Sequence, residues 1–301
     1  MSCKILKPVL IPALVLALVG CGGEGDGSGA QPPAQDSLDT ATANAERGLV
    51  KVGGHLFAVP SPVEMALLNR KLDLPYRKDL PMPTSAADRL TTKGQRALYM
   101  GMCGADLAYV TIHKDGQRAL TILRSVQSVS AALELSNAFD QGLLDRFKRS
   151  LNSEDSLLRM SGLAYRAADQ YLKQSERHDV SALVLAGGWL EGMYLTLAGG
   201  GERPAAELVS RVGEQKRTLD NIIVLLESTD TEKAQGALIA GLKDLATAFQ
   251  GVAATYQYQQ PTVDAAKKTT YINSTSTVTV PPEVLRTITE KVTALRTTIS
   301  A

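Results

Sequence analysis

Three side chains able to move or share protons fall close together in the stretch Met100–His113 (MGMCGADLAYVTIH): Asp106, Tyr109 and His113. Their i, i+3, i+7 spacing puts them on one face if the stretch is helical. A carboxylate, a phenol and an imidazole on one face allow two readings. One is a polar site for a ligand or for proton transfer; the other is a ladder of hydrogen bonds between helices. Cys103 stands one turn earlier on nearly the same face. No activating partner is evident beside it, so it reads as a small buried apolar residue and not as a nucleophile. A further candidate is Glu191, the sole charge in Ser181–Leu197 (SALVLAGGWLEGMYLTL). A buried carboxylate is paired or protonated, so an Arg, a Tyr or a helix N-terminus is expected to face it. That partnership either fixes the register of the helix or leaves Glu191 to touch a ligand. Trp189, the single tryptophan, is expected to fill space across from a close helix approach at Gly187 and Gly188. The candidate ligand-binding set is therefore Asp106, Tyr109, His113, Trp189 and Glu191, and no residue is assigned a catalytic role.

Familiar enzyme signatures are missing. There is no HExxH, and His55, His113 and His178 are too scattered to suggest a metal site. No G-x-S-x-G elbow, S-x-x-K pair or phosphate-binding Walker loop occurs, and no motif asks for a cofactor. The glycines of Gly25-Asp26-Gly27-Ser28-Gly29 belong to a linker, and Gly199-Gly200-Gly201 before Glu202-Arg203-Pro204 reads as a helix stop and restart. Composition narrows the partners. The 301 residues carry 32 basic against 31 acidic side chains, a formal net charge of +1, so no field favours nucleic acid. Aromatics are 5% of the chain, too few for platforms that stack bases.

The elements that must position these residues read mostly as helices. Ser61-Pro62 with Glu64 makes a capping-box start. Pro75, Pro81 and Pro83 interrupt the chain before a helix over Lys93–His113. Asp115-Gly116 is a turn, Gln117–Leu135 a helix, Gly142–Leu151 a short one, and Asn152-Ser153 caps a helix carrying Leu157, Met160, Ala164, Ala167 and Tyr171. Ser181–Leu197 is expected to be buried inside the protein and not membrane-spanning, because its neighbours are amphipathic and need an apolar partner. Three later stretches step alternately by three and four: Leu208 to Leu226 through Val212, Gln215, Leu219 and Ile222; Leu238 to Tyr256 through Leu242, Leu245, Phe249 and Val252; Leu285 to Ile299 through Ile288, Val292 and Leu295. Leu49–Val59 around Gly53-Gly54 and the Thr-rich Thr269–Val280 around Asn273-Ser274 break the pattern. Each is a candidate β-hairpin, and the two are candidates to pair with each other. The fold class expected is all-α, a multi-helix antiparallel bundle or a tetratricopeptide-like helical array, with one or two small β-hairpin segments.

The amino end gives an address. Lys4 and Lys7 precede the uncharged apolar run Pro8–Val19, which is short for a membrane span, and Leu18-Val19-Gly20-Cys21 closes it. That tetrad resembles the lipobox of bacterial lipoproteins. The resemblance implies that the Cys21 thiol receives a diacylglyceryl group, that the leader is cut before Cys21, and that the new amino end is acylated. Residues 22–35 (GGEGDGSGAQPPAQ) have the composition of a flexible tether. Gly22 is not the Asp that retains such proteins at an inner membrane, so the resemblance implies the outer membrane. Loss of Cys3 with the leader and modification of Cys21 leave Cys103 alone. Gly104–Tyr109 (GADLAY) and Asp179–Trp189 (DVSALVLAGGW) also resemble segments of uncharacterised helical lipoproteins of bacterial envelopes, over roughly Ser61 to Leu226. That similarity implies an address and no activity.

The chain thus divides into a signal peptide at 1–20, a lipidated cysteine and tether at 21–48, and a single helical domain at 49–301, with possible sub-units 49–200 and 201–301. Its partners are the lipid bilayer, through acylated Cys21, and an envelope protein; nucleic acid is not among them. The function expected is that of a membrane-anchored, non-enzymatic binding or scaffold module. The alternative is a hydrolase-like envelope enzyme with a polar site around Asp106, Tyr109, His113 and Glu191.

Overall fold

A side-chain cap starts the helix that carries Asp106 and Tyr109. The Thr92 hydroxyl accepts from the Gln95 amide at 3.1 Å while Gln95 Oε1 accepts from the Thr92 amide at 3.1 Å, a reciprocal capping box. Asp115 does the same for the next helix, its Oδ1 accepting from the Arg118 amide at 3.1 Å. The computed structural model describes residues 49–52, 55–58, 62–135, 141–150, 159–160 and 176–300. In chain order these form strands β1 (Leu49–Val52) and β2 (His55–Ala58), then helices α1 (Pro62–Lys71), α2 (Lys93–Ile112), α3 (Gly116–Ala132), α4 (Gln141–Arg149) and α5 (His178–Gly200). Helices α6 (Ala206–Glu214), α7 (Lys216–Thr229) and α8 (Gly236–Ala248) follow. Strands β3 (Ala253–Gln257), β4 (Thr262–Asp264), β5 (Thr269–Tyr271) and β6 (Thr275–Thr279) come next, before the last helix α9 (Pro282–Ser300). The protein is mostly helical, with small two-stranded antiparallel sheets.

Helix α5 lies in the core. By length and composition it is apolar enough to cross a membrane, yet 94% of its apolar window is buried inside the protein. Helices α1, α2, α7 and α9 all pack on it, and α2 does so most extensively. The α2–α5 contact depends on two glycines. A Cβ on Gly101 would stand 2.0 Å from the Val184 carbonyl oxygen, and one on Gly187 would stand 2.1 Å from the Leu98 carbonyl oxygen. Both distances are far inside van der Waals contact, so the two backbones meet where neither helix has a side chain. The helices run the same way past this point: Gly101 meets Val184 and Gly188, and further along Ala105 and Tyr109 lie beside Gly192 and Leu195. Gly201, at φ 64°, then stops α5 and the chain restarts at α6.

The apolar seams persist where the helices do not. Leu208, Val212, Leu219, Ile222 and Leu226 are all buried, but the helix is interrupted at Gln215 between α6 and α7. In the next stretch Leu242, Leu245 and Phe249 are buried, but the helix ends at Ala248 and a 3-10 turn at Phe249–Gly251 leads into β3. Tyr256, expected on the helical seam, is exposed on that strand. The reason is pairing: Ala253–Gln257 finds a five-residue antiparallel partner in the Thr-rich Thr275–Thr279, which satisfies its backbone groups as a strand.

The same pairing overturns the turn expected at Asn273-Ser274. Strands β5 and β6 flank those residues but do not pair with each other; β5 pairs with β4 and β6 with β3. Instead Asn273 Nδ2 donates to the Gln260 carbonyl at 2.9 Å and to Thr262 Oγ1 at 2.8 Å, joining the two ladders into one long hairpin, 253–279. The other β segment is a hairpin as expected, β1 against β2, and the two segments do not pair with each other among the described residues. Cys21 with its lipobox, the spans 1–20 and 21–48, Gly53-Gly54 and Ser61 lie outside the described residues. So does most of the helix expected after Asn152-Ser153, although Met160 is described and buried.

Gly101→Ala and Gly187→Ala should each lower unfolding free energy by about 3 kcal/mol or more, the severe end of overpacking, because a backbone and not a side-chain tip must move. Gly192→Ala, on the same helix, places its Cβ an ordinary 3.5 Å from Met65 and should be neutral or stabilising. Urea titrations of the three variants followed by circular dichroism check this; equal effects at all three positions would contradict it.

Candidate functional site

One turn beyond the glycine crossing, α2 and α5 bring two acids together in the core. Asp106 and Glu191 are both 0% exposed. Arg296 reaches Glu191 from α9, with Nε donating to Oε2 at 2.7 Å and Nη2 donating to Oε1 at 2.8 Å. Nη2 also donates to the Leu80 carbonyl at 2.8 Å, and the guanidinium lies 3.9 Å from the centre of the Tyr194 ring. Asp106 Oδ2 accepts from the Met82 amide at 2.9 Å, whereas its Oδ1 meets no N–H or O–H donor. The two carboxyl groups are buried in the same part of the core and act on each other electrostatically, so ionising both there is costly.

Electrostatics decide which acid keeps a proton. Burial pushes the Asp106 carboxyl well above the usual carboxylate range, and the negative charge of Glu191 pushes it further. Burial also raises Glu191, but there the bidentate bonds and the charge of Arg296 act in the opposite sense. Asp106 is therefore the acid held more firmly in its protonated form, while Arg296 draws Glu191 toward the carboxylate. Four segments close on this network: α2, α5, α9 and the connection containing Leu80 and Met82.

Tyr109 and His113 point into a different cluster. The Tyr109 hydroxyl accepts from the Arg77 amide at 2.9 Å. The His113 ring stacks on Tyr76 at 4.8 Å and meets the edge of Tyr109 at 4.8 Å. Tyr76 in turn donates to Asp115 Oδ2 at 2.7 Å, so the aromatic group is tied to the cap of α3. Burial pushes His113 below its usual range and favours the neutral ring; among the described residues its buried Nε2 has no partner. Trp189 faces away from Glu191, its indole Nε1 donating to Gln215 Oε1 at 3.1 Å across the break between α6 and α7. Cys103 is buried, and desolvation pushes its thiol up, away from the reactive thiolate.

The five candidate residues thus separate into three groups: Asp106 with Glu191, Tyr109 with His113, and Trp189 by itself. The crevice between α1, α2 and α5, bounded by Met65, Asn69, Tyr109 and Leu195, is too tight to admit a water. Among the described residues no group of three or more His, Cys, Asp or Glu could hold a metal ion. Sequence reasoning had not singled out Arg296, Tyr76 or the pairing role of Gln215. A signal for Arg296 exists: it sits four residues after Val292, inside the stripe through Ile288, Val292 and Ile299 that packs inward, where a lone cation implies a buried anion. The chain matches no protein-family model, no curated protein and no solved structure.

A proton held by the fold has a defined effect on stability. Below about pH 4, Asp106 is protonated in folded and unfolded chains alike and its contribution is fully present. As pH rises the unfolded chain ionises while the fold keeps the proton, so that stability is lost up to the raised folded pKa. Asp106→Asn supplies a permanently neutral side chain and an acceptor for Met82. Its unfolding free energy relative to wild type should therefore shift in the variant's favour between pH 4.5 and pH 7.5, as urea titrations would show. A difference independent of pH would contradict the assignment. Arg296→Met strands Glu191 without its counter-charge and should cost about 3–5 kcal/mol at neutral pH.

Proposed function

We propose that this protein is a lipoprotein of a bacterial envelope, held in a bilayer by acylated Cys21, that acts as a non-enzymatic binding or scaffold body. The observation that carries the reading is Leu18-Val19-Gly20-Cys21 at the end of an uncharged apolar leader, followed directly by a Gly- and Pro-rich tether. Gly22 after the cysteine favours the outer membrane. The partner expected for the body is another envelope protein.

The body's chemistry supports a scaffold over an enzyme. Glu191 is committed to Arg296, Asp106 to Met82, and Tyr109 to Arg77. These three groups are held by other parts of the chain, and His113 is held by stacking on Tyr76 and Tyr109. A hydrolase-like site built on Asp106, Tyr109, His113 and Glu191 would first have to break the bidentate pair with Arg296. The packing also favours a bundle around α5 over a tetratricopeptide-like array. In an array each helix touches its neighbours in sequence, whereas α1 and α9 both reach α5 across long separations.

The reading is tested by mass spectrometry of the protein extracted from the membranes of a bacterium that expresses it. The expected product begins at Cys21 and carries diacylglyceryl and acyl masses on that residue. An intact leader, or a free thiol at Cys21, would overturn it.

A further inference from the structure

Among the described residues, most of the large exposed apolar side chains stand on one arm. Six large apolar or aromatic side chains are exposed among the described residues, and five of them (Tyr256, Tyr258, Val263, Tyr271 and Ile272) stand on the hairpin 253–279. The base of that hairpin is attached to the body, where Val278 packs over Gly213 of α6. Beyond the base, nearly every residue of β3, β4, β5 and β6 is exposed. A two-stranded hairpin is at best marginally stable alone in water, and gathered apolar exposure marks a contact surface.

The chemistry of the arm selects the contact. Tyrosine joins an apolar ring to a polar tip, the combination enriched where lipid headgroups meet hydrocarbon. The turn at the far end carries exposed Lys267 and Lys268; Asp264, the single acid from Ala253 to Val280, lies 3.5 Å from the Lys267 ammonium, which leaves the arm net positive through Lys268. Two lysines beside exposed tyrosines complement phosphate headgroups. Strand addition by another protein is less well served. The ladder is interrupted between Gln257 and Thr262, where Ser274 and Asn273 side chains take up the backbone groups of Gln259 and Gln260. A docked strand would meet a five-residue edge at the base and a three-residue edge beyond.

The tether supplies the encounter. In the anchorage proposed above, residues 22–48 separate Cys21 from β1 in sequence, and a Gly-rich linker of that length would have a root-mean-square span of about 30 Å. A body leashed at that distance meets the bilayer surface continually, so a weak second contact becomes an intramolecular event.

We infer that the hairpin 253–279 lies on the bilayer surface as a second membrane contact, with its tyrosines at headgroup depth and Lys267 and Lys268 against lipid phosphates. This rests on the anchorage through Cys21 proposed above. The arm's contribution is orientation: it turns a body swinging on a leash into one held with a fixed side toward the lipid.

The test uses the full lipidated chain reconstituted in phosphatidylcholine–phosphatidylglycerol vesicles whose acyl chains are brominated near the headgroup. Wild type contains one indole, that of buried Trp189, and its emission should be unchanged by bromine. Tyr258→Trp adds a second indole on the arm; most of the added emission should be lost in brominated vesicles. Lys267→Glu with Lys268→Glu in that background should restore it while flotation with the vesicles is unaltered. A chain that floats without quenching overturns the arm contact alone. An arm indole that is blue-shifted but unquenched, with larger cross-linked species, also overturns it and points to coverage by a second copy or another protein. A chain that does not float overturns the Cys21 anchorage, and the arm contact with it.

Discussion

Two missing side chains set the architecture. At Gly101 and Gly187 the backbones of α2 and α5 approach so closely that a methyl group on either would collide with a carbonyl oxygen of the other helix. At 1.5 Å rise per residue, Asp106 and Glu191 then fall about 6–8 Å beyond the crossing, on helices already pressed together. The two acids are neighbours because the glycines are. Close backbone approach also lets Cα hydrogens meet carbonyl oxygens, which offsets part of the entropic cost of glycine in a helix interior.

Placing two carboxyls in that position creates an electrostatic problem, and the last helix resolves it. One excess negative charge in the core is answered by Arg296, and the other acid is neutralised by keeping its proton. Arg296 also holds the Leu80 carbonyl, while Asp106 holds the Met82 amide, so the Pro-rich connection between α1 and α2 is fixed by the same network. Breaking a buried pair of this kind is far more damaging than never having built it. The pair ties α9 to α5 at one point, with the guanidinium against Glu191.

Much of the helical frame was legible in the sequence because its signals are local. The helix over Lys93–His113, the turn at Asp115-Gly116, the stop at Gly199–Gly201 and the burial of Ser181–Leu197 each depend on residues within a few turns. Glu191 signalled that a partner was needed, but not which one; Arg296 lies 105 residues away and only the packing of α9 selects it. Asp106, Tyr109 and His113 do share a face by spacing, yet neighbouring segments divide it. Asp106 meets α5 and Met82, while Tyr109 and His113 meet Tyr76 and Arg77 from the preceding connection. The 238–256 seam misled for a related reason: apolar spacing continues through Val252, but the strand at 275–279 captures the backbone from Ala253 onward.

The preference for a scaffold over an enzyme turns on the buried acids forming a closed pair, with Asp106 protonated and Glu191 against Arg296, and not an open site awaiting a cation or substrate. Infrared spectroscopy tests it most directly, because a protonated carboxyl absorbs apart from a carboxylate. At neutral pH the folded protein should show a buried protonated-carboxyl band that Asp106→Asn removes and His113→Ala leaves intact. Two ionised carboxylates at neutral pH, with no such band, would contradict the account. Arg296 would then face a net negative charge in the core, and the network would be a site for a positively charged ligand.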